Sequence, residues 1–352
     1  NYSMNTVDLC PVGALTSKDF RFKMRVWFLK ETKTIDVDCG TGTNITLWTR
    51  EDKVYRITPR QNDAVNSCWM PDSHRLNYKY INAETRIPQP VIRTDAEAPH
   101  RPSTWEPALA SAAEAVKRIA PNQLAIIASG RMTNEELYMV RHLAAQIGTD
   151  MVDIVPRMGE SDGMLISADR NPNTNGARLV LDIEPGSKLD AIREGVRSGS
   201  IKGILSLGED LISPEAGFTA EDLDKLDYLF MTAHSANETA RHADLVLPGV
   251  TYAEKFGTMI NVTGRIQRLN RAIQPIGYAR DDWQIFRDIT LLLGGNPALK
   301  DFNSALDILT AMSTEYGALN GVSWGSIGDG GQPILETGVT IPVVEREKNQ
   351  GR

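Results

Sequence analysis

Between Trp105 and Gly249 the chain alternates short apolar runs with amphipathic helical stretches, and this pattern restricts the fold more than any other feature. "WEPALASAAEAVKRIA" has helical periodicity and stops before Pro121, and "QLAIIAS" is a short fully apolar strand. "TNEELYMVRHLAAQIG" predicts a helix with Thr133 as N-cap, Glu136 as its capping-box partner and Gly148 at its end. "ARLVLDIE", "IKGILSLG", "DYLFMTA" and "ADLVLPG" read as further strands, separated by the helical patterns "LDAIREGVRSG" and "AEDLDKL". Strands this apolar have no polar face for water, so helices must cover both sides of a parallel sheet. The expected class is α/β, with a doubly wound parallel-sheet body over residues 96–300.

The flanking stretches have other textures. Residues 1–34 hold Cys10-Pro11 and then a basic, aromatic run, "KDFRFKMRVWFLKETK". Residues 35–95 predict a small β-rich domain plus linker, in which "NITLWTR" and "KVYRITPR" are strands joined by the turn "EDK". "RIPQPVIRTDAEAPHRPS", with four prolines, reads as a linker or domain-crossing loop. Residues 301–352 offer one helix, "FNSALDILTAM", and a glycine-rich tail. Residues 1–82 carry 12 Lys+Arg against 9 Asp+Glu, whereas the remainder carries 26 against 36. So acidic a body argues against nucleic-acid binding, and the basic front end suits a protein contact. No apolar run reaches the roughly 18 residues of a membrane span. The opening "NYSMNTVDLC" lacks a leader pattern and an initiator Met, and reads as the interior of a longer or processed polypeptide.

Three cysteines, Cys10, Cys39 and Cys68, fit a reducing compartment better than a disulfide framework. They lie too far apart for a local C-x2-C pair, so together they make a poor zinc or cluster site. Cys10-Pro11 matches the end of ferredoxin-type ligand sets, although the dipeptide alone equally suits a small buried residue. His234, Glu238 and His242 are spaced by four, but successive steps of four drift by about 40° on a helix. A capped connecting helix is expected there. "GTGTN" precedes a strand and so is not a dinucleotide fingerprint, and no nucleophile elbow or phosphate loop is present. The most distinctive stretch, residues 240–273, contains Glu254, Gly257, Thr258, Asn261, Gly264, Arg265 and Gln267. Its plain reading is a loop in which these side chains satisfy backbone groups where sheet and loop meet.

With these residues in hand, the chain resembles the large iron–sulfur (G) subunits of NADH-quinone oxidoreductase, respiratory complex I. "VDLCPVGALTSKDFRF" looks like that family's "DLCPVGALTSK" signature, and "ADLVLPGVTYAEKFGTMINVTGRIQ" like the segment it shares with molybdopterin oxidoreductases. The resemblance implies that Cys10 is the fourth ligand of a [4Fe–4S] cluster whose other ligands lie upstream, and that residues 1–34 are the tail of a ferredoxin-like domain. It also implies a [2Fe–2S] centre and further [4Fe–4S] clusters in the full-length subunit. Some relatives hold another cluster through positions that here read Asp36, Cys39, Thr43 and Pro71. Only one of these is a cysteine, so no cluster is expected there; Cys68 falls outside the pattern. No molybdopterin is expected, because the metal ligand and a C-terminal cofactor-gripping domain are missing. The implied role is an electron-transfer subunit on the cytoplasmic side of the inner membrane, peripheral and membrane-associated only through its complex. The implied partners are the other peripheral-arm subunits, including the one that binds NADH and FMN. No catalytic residue of its own is expected. A molybdopterin-dependent oxidoreductase of the formate dehydrogenase kind and a structural subunit without a cluster are the alternative readings.

Overall fold

The computed structural model describes residues 1–93 and 98–350. A single helical turn, α1 (Asn5–Leu9), opens the chain, and a three-stranded antiparallel sheet follows: β1 (Lys30–Ile35), β2 (Asn44–Arg50) and β3 (Lys53–Pro59). The expected hairpin is present, and Glu51 and Asp52 turn it with φ of 50° and 55°. Positive φ at both central residues gives the turn the twist of its flanking strands. Asp52 Oδ1 also accepts from the Gln274 N–H at 3.0 Å, a tertiary bond that helps hold the strained pair. Strand β1 runs across the expected 34/35 boundary, because the basic run ends as the sheet's outer strand. Helix α2 (Asp72–Leu76) closes the unit.

The segment predicted as a linker forms structure on both sides of Thr94–Glu97, which with the expected boundary at 95/96 lie outside the described residues. Strands β4 (Val91–Ile92) and β5 (Arg101–Pro102) add antiparallel edges to the main sheet. Its parallel centre comprises β6 (Leu124–Ala128), β7 (Val152–Ile154), β8 (Gly203–Leu207), β9 (Tyr228–Ala233) and β10 (Leu245–Pro248), in the order β5-β4-β10-β9-β8-β6-β7. Alternate residues serve opposite cores. Leu124, Ile126 and Ala128 meet one, with α3 (Trp105–Arg118), α4 (Asn134–Ile147) and α5 (Thr174–Leu181). Ala125 and Ile127 meet the other, with α6 (Leu189–Ser198), α7 (Ala220–Leu223) and α8 (Glu238–His242). The parallel-rich α/β class is therefore present. One expected strand is corrected: most of "ARLVLDIE" is helix α5, where Ala177 and Val180 turn inward at helical spacing.

Helix α4 has the predicted capping box between Thr133 and Glu136, and Gly148 ends it in the left-handed region at φ 79°. Beyond the main sheet, β11 (Gly257–Ile260) and β12 (Arg265–Leu269) form a hairpin, and α9 (Asp282–Leu292) and α10 (Ala305–Glu315) pack onto the first core. The tail supplies α11 (Trp324–Ile327), β13 (Gln332–Pro333), which extends the hairpin sheet, and α12 (Pro342–Gln350). A third core spans the small sheet and the hairpin, joining Ile45, Leu47 and Ile57 to Tyr252, Met259 and Leu269.

Candidate functional site

Cys10 sits at the C-terminal end of α1 with extended backbone. The chain then turns through Gly13, at φ 65°, whose N–H donates to the Cys10 carbonyl at 3.4 Å. The Leu15 N–H, followed by those of Ala14, Val12 and Gly13, holds the Cys10 thiol below its usual range against some desolvation. The thiolate is the metal-binding and reactive form, and peptide N–H donors aimed at sulfur also tune iron–sulfur potentials.

Two anchors fix this turn to the small-sheet unit. Asn5 pairs with the Met70 backbone in both directions, at 2.8 and 3.0 Å. Arg75, 4% exposed, grips Asp8 with both guanidinium nitrogens at 3.0 and 2.6 Å. A bidentate charged pair of this kind fixes orientation as well as distance. Between the turn and β3 lies a cavity of about 520 Å³, lined by Cys10, Leu15, Phe20, Arg56, Arg75 and Tyr78 among others.

The other cysteines do not join Cys10: all three are free. Cys39 is 1% exposed and its thiol is pushed up to about 11 by burial, as suits an inert packed thiol. Its Sγ lies 3.9 Å from the Leu165 carbonyl oxygen, and Cys68 is exposed. At the other positions of the lost-cluster pattern, Asp36 pairs with His74 at 2.6 Å, the Thr43 carbonyl accepts from the Asp36 N–H at 2.8 Å, and Pro71 precedes α2. Asp36, Asp38 and His74 bring one ligand atom each within 4.8 Å of one another, a grouping sequence reasoning missed. Burial, then the Asp36 charge, raises the Asp38 carboxyl to about 7. Arg131 and Arg170 add positive charge beside this group.

His234, Glu238 and His242 do not converge. His234 bonds Ser235 at 2.8 Å, Glu238 meets Arg241 at 3.0 Å, and His242 meets Asp224 at 2.8 Å. Asn237 caps α8 through the Ala240 N–H, as the plain reading predicts.

The 240–273 segment acts as a joint. Glu254, 1% exposed at its side chain, pairs with buried Arg86 at 2.6 Å. The Asn261 side chain donates to the Thr41 carbonyl at 3.0 Å, and that of Gln267 to the Gly42 carbonyl at 2.9 Å. Thr258 bonds buried Glu135 through its N–H and hydroxyl, both at 2.8 Å.

Strand β7 lies on one side of β6 and β8 on the other, which makes the carboxyl ends of β6 and β8 a switch point where ligands settle in open α/β sheets. A cavity of about 100 Å³ remains there, lined by Arg131, Gly208, His234, Tyr252, Lys255 and Asp282 among others. Burial would discharge Lys255, but Glu136 at 2.8 Å and Asp282 at 3.8 Å hold its ammonium above the usual range. Burial first, then nearby cationic side chains, bring the His234 imidazole down to about 4.

Two family models match this chain. "NADH-ubiquinone oxidoreductase NDSU1/NuoG-like, 4Fe-4S domain" covers residues 29–79, and "Molybdopterin oxidoreductase" covers 155–290. The 78 kDa subunit of mitochondrial NADH-ubiquinone oxidoreductase from Candida albicans is 27% identical over 86% of this chain and 58% of its own length. The G subunit of NADH-quinone oxidoreductase from Rickettsia conorii is 24% identical over 82% of this chain and 59% of its own. The chain thus spans less than two thirds of these relatives. Among solved structures, acetylene hydratase from Pelobacter acetylenicus superposes with a TM-score of 0.60 at 10% identity, over 84% of this chain and 73% of that one, a likeness of fold alone. A match to the NuoG-like 4Fe-4S model thus precedes a match to the molybdopterin-oxidoreductase model, and the chain is similar over most of its length to G subunits of NADH-quinone oxidoreductase and 78 kDa subunits of NADH-ubiquinone oxidoreductase.

Proposed function

We propose that this chain is part of an electron-transfer subunit on the peripheral arm of an NADH-quinone oxidoreductase, and that Cys10 is its contribution to a [4Fe–4S] cluster. The observation that carries the reading is the Cys10 sulfur itself, held below its usual pKa by the peptide N–H groups of residues 12–15 and placed on a cavity rather than in a core. These features fit one iron ligand. Within residues 29–79 the two cysteines, one packed and one exposed, do not fit a cluster. A [4Fe–4S] cluster supplies one-electron storage with little structural change. Asn5, Asp8 and Arg75 hold the thiolate in place, and the N–H groups beside it stabilise its charge. No residue of this chain makes or breaks a substrate bond in this reading.

NADH and FMN belong to a partner subunit on this view, and electrons pass onward toward quinone. The assembly sits on the cytoplasmic face of the inner membrane through its partners; among the described residues no helix is long and apolar enough to cross one. Residues 1–34 would complete a ferredoxin-like domain begun upstream, where the further [4Fe–4S] and [2Fe–2S] ligands would lie. The α/β body serves as scaffold without molybdopterin in this reading; the cavity at its switch point is about 100 Å³ and carries the Lys255–Asp282 pair on its wall. A drug-sized ligand takes a cavity of roughly 300 Å³ or more.

The test is Cys10→Ala in the full-length subunit within its complex. Loss of a reduced-state EPR signal together with about four irons per complex is expected. Wild-type iron content and spectra would sink the assignment. Stoichiometric molybdenum or tungsten in the native assembly would turn the reading toward a catalytic oxidoreductase.

A further inference from the structure

Arg56, on β3, lines the same cavity as Cys10. Its guanidinium carbon lies 4.7 Å from the ring centre of Phe20 and 4.4 Å from that of Trp48, and the side chain is half-buried between the two rings. No carboxylate or other acceptor within hydrogen-bonding distance meets it among the described residues, and its buried Nε is unpartnered. The carboxylates around the cavity are taken by other partners. Asp8 is taken by both nitrogens of Arg75, and Asp19 by Lys23, Lys79 and the Tyr78 hydroxyl. Aromatic faces attract a cation and hold its orientation, but they leave its positive charge in force. A surplus cation is thus fixed on the wall of a cavity whose other wall carries a thiolate.

We infer that Arg56 is a positioning residue for charge: it favours the reduced, more negative state of the group that Cys10 ligates and so raises that group's reduction potential. This rests on the proposed ligation by Cys10. A unit charge about 10 Å from a redox centre shifts its reduction equilibrium on the order of tenfold at an effective dielectric near 20, which is about 59 mV for one electron. Phe20 and Trp48 keep the guanidinium from folding out to water or onto Asp8.

The experiment is an EPR-monitored redox titration of the intact complex carrying Arg56→Gln or Arg56→Lys, with iron analysis alongside. Arg56→Gln is expected to keep its iron and g-values while the midpoint potential of the cluster lost in Cys10→Ala falls by about the tenfold equivalent. Arg56→Lys, which keeps the charge, is expected to restore most of the wild-type potential. An unchanged midpoint in an iron-replete Arg56→Gln complex overturns the inference. If the Gln variant loses iron, the Lys variant decides alone: a near wild-type potential supports a charge effect, and a full fall overturns it. The two claims fail separately, because Cys10→Ala with intact signals removes the ligation, whereas a silent Arg56 leaves the ligation standing.

Discussion

At the scale of single residues, a fully buried charge is stabilised where it finds several partners. Arg86 shows the rule: it donates to Glu254 at 2.6 Å, to the His234 carbonyl at 2.9 Å and to the Ile81 carbonyl at 2.9 Å. Glu254 in turn accepts from the Thr251 N–H and hydroxyl at 2.7 and 2.8 Å, and from the Ile276 N–H at 3.2 Å. Removing one member leaves the other charged and dry, a change that typically costs about 3–5 kcal/mol. Arg86→Ala is therefore expected to destabilise the chain by that amount, measured as a fall in urea midpoint. A loss below about 1 kcal/mol would mean that water reaches Glu254 in the variant and that the pair is not sealed. Glu254 was legible in the sequence because it stands in a distinctive loop. Arg86 was not, because its partner lies far along the chain within a proline-rich stretch that reads as a linker. Arg56 was hidden only in part: Trp48 stands opposite it in the expected β2–β3 hairpin, whereas Phe20 comes from a separate segment that spacing along the chain does not bring near.

At the scale of elements, local chemistry was readable wherever it decided the outcome. The Thr133–Glu136 box and Gly148 bound α4 as predicted, since each satisfies backbone groups within its own turn. Helix α5 was misread as a strand because five of its eight residues are apolar or small, as is Ile183 shortly after it, and short apolar runs suit either element. Packing decides there, with Gly176 set so close to Asn134 and Asn173 that a Cβ would lie 2.1 and 2.2 Å from their side-chain oxygens. The Asp36–Asp38–His74 group, drawn from the β1–β2 connection and α2, gives a pH prediction. Asp38 titrates near 7 when folded and near 3.8 when unfolded, so the folded chain binds the extra proton. Its contribution is then fully present below about 4 and is lost as pH rises through 7. His74, which burial would discharge, is held above its usual range by Asp36, and its contribution likewise fades as pH rises through the folded value. Asp38→Asn is expected to gain stability relative to wild type as pH rises from about 4 to 7, in parallel urea melts. A difference that stays flat across that range would show that Asp38 is solvated and its charge unopposed.

At the scale of the whole molecule, the small sheet and the α/β body read as separate textures but fold around a shared core. Gly40 and Gly42 make the joint. The Gly40 carbonyl accepts from the Val262 N–H at 2.7 Å, its N–H donates to the Asp169 carbonyl at 2.9 Å, and the Gly42 carbonyl accepts from Gln267. Their glycine identity was visible in the sequence only as punctuation before a strand, whereas its reason is the close approach of the β11–β12 hairpin. Gly42 has φ 64°, and a Cβ there would lie 2.3 Å from Gln267 Oε1. Gly42→Ala should combine a left-handed backbone penalty of about 1–2 kcal/mol with the loss of a buried hydrogen bond worth roughly 1 kcal/mol. Since Ile45 and Leu47 share their core with Met259 and Leu269, that cost should fall on both units together. The expected result is a single urea transition at a lower midpoint with unchanged slope, and equal loss of amide-exchange protection in β2 and β6. An early, separate transition confined to residues 30–59 would show instead that the small sheet is held by these few hydrogen bonds alone. In that case Cys10, anchored to the small sheet through Asn5 and Asp8, would move with it while the body stayed folded.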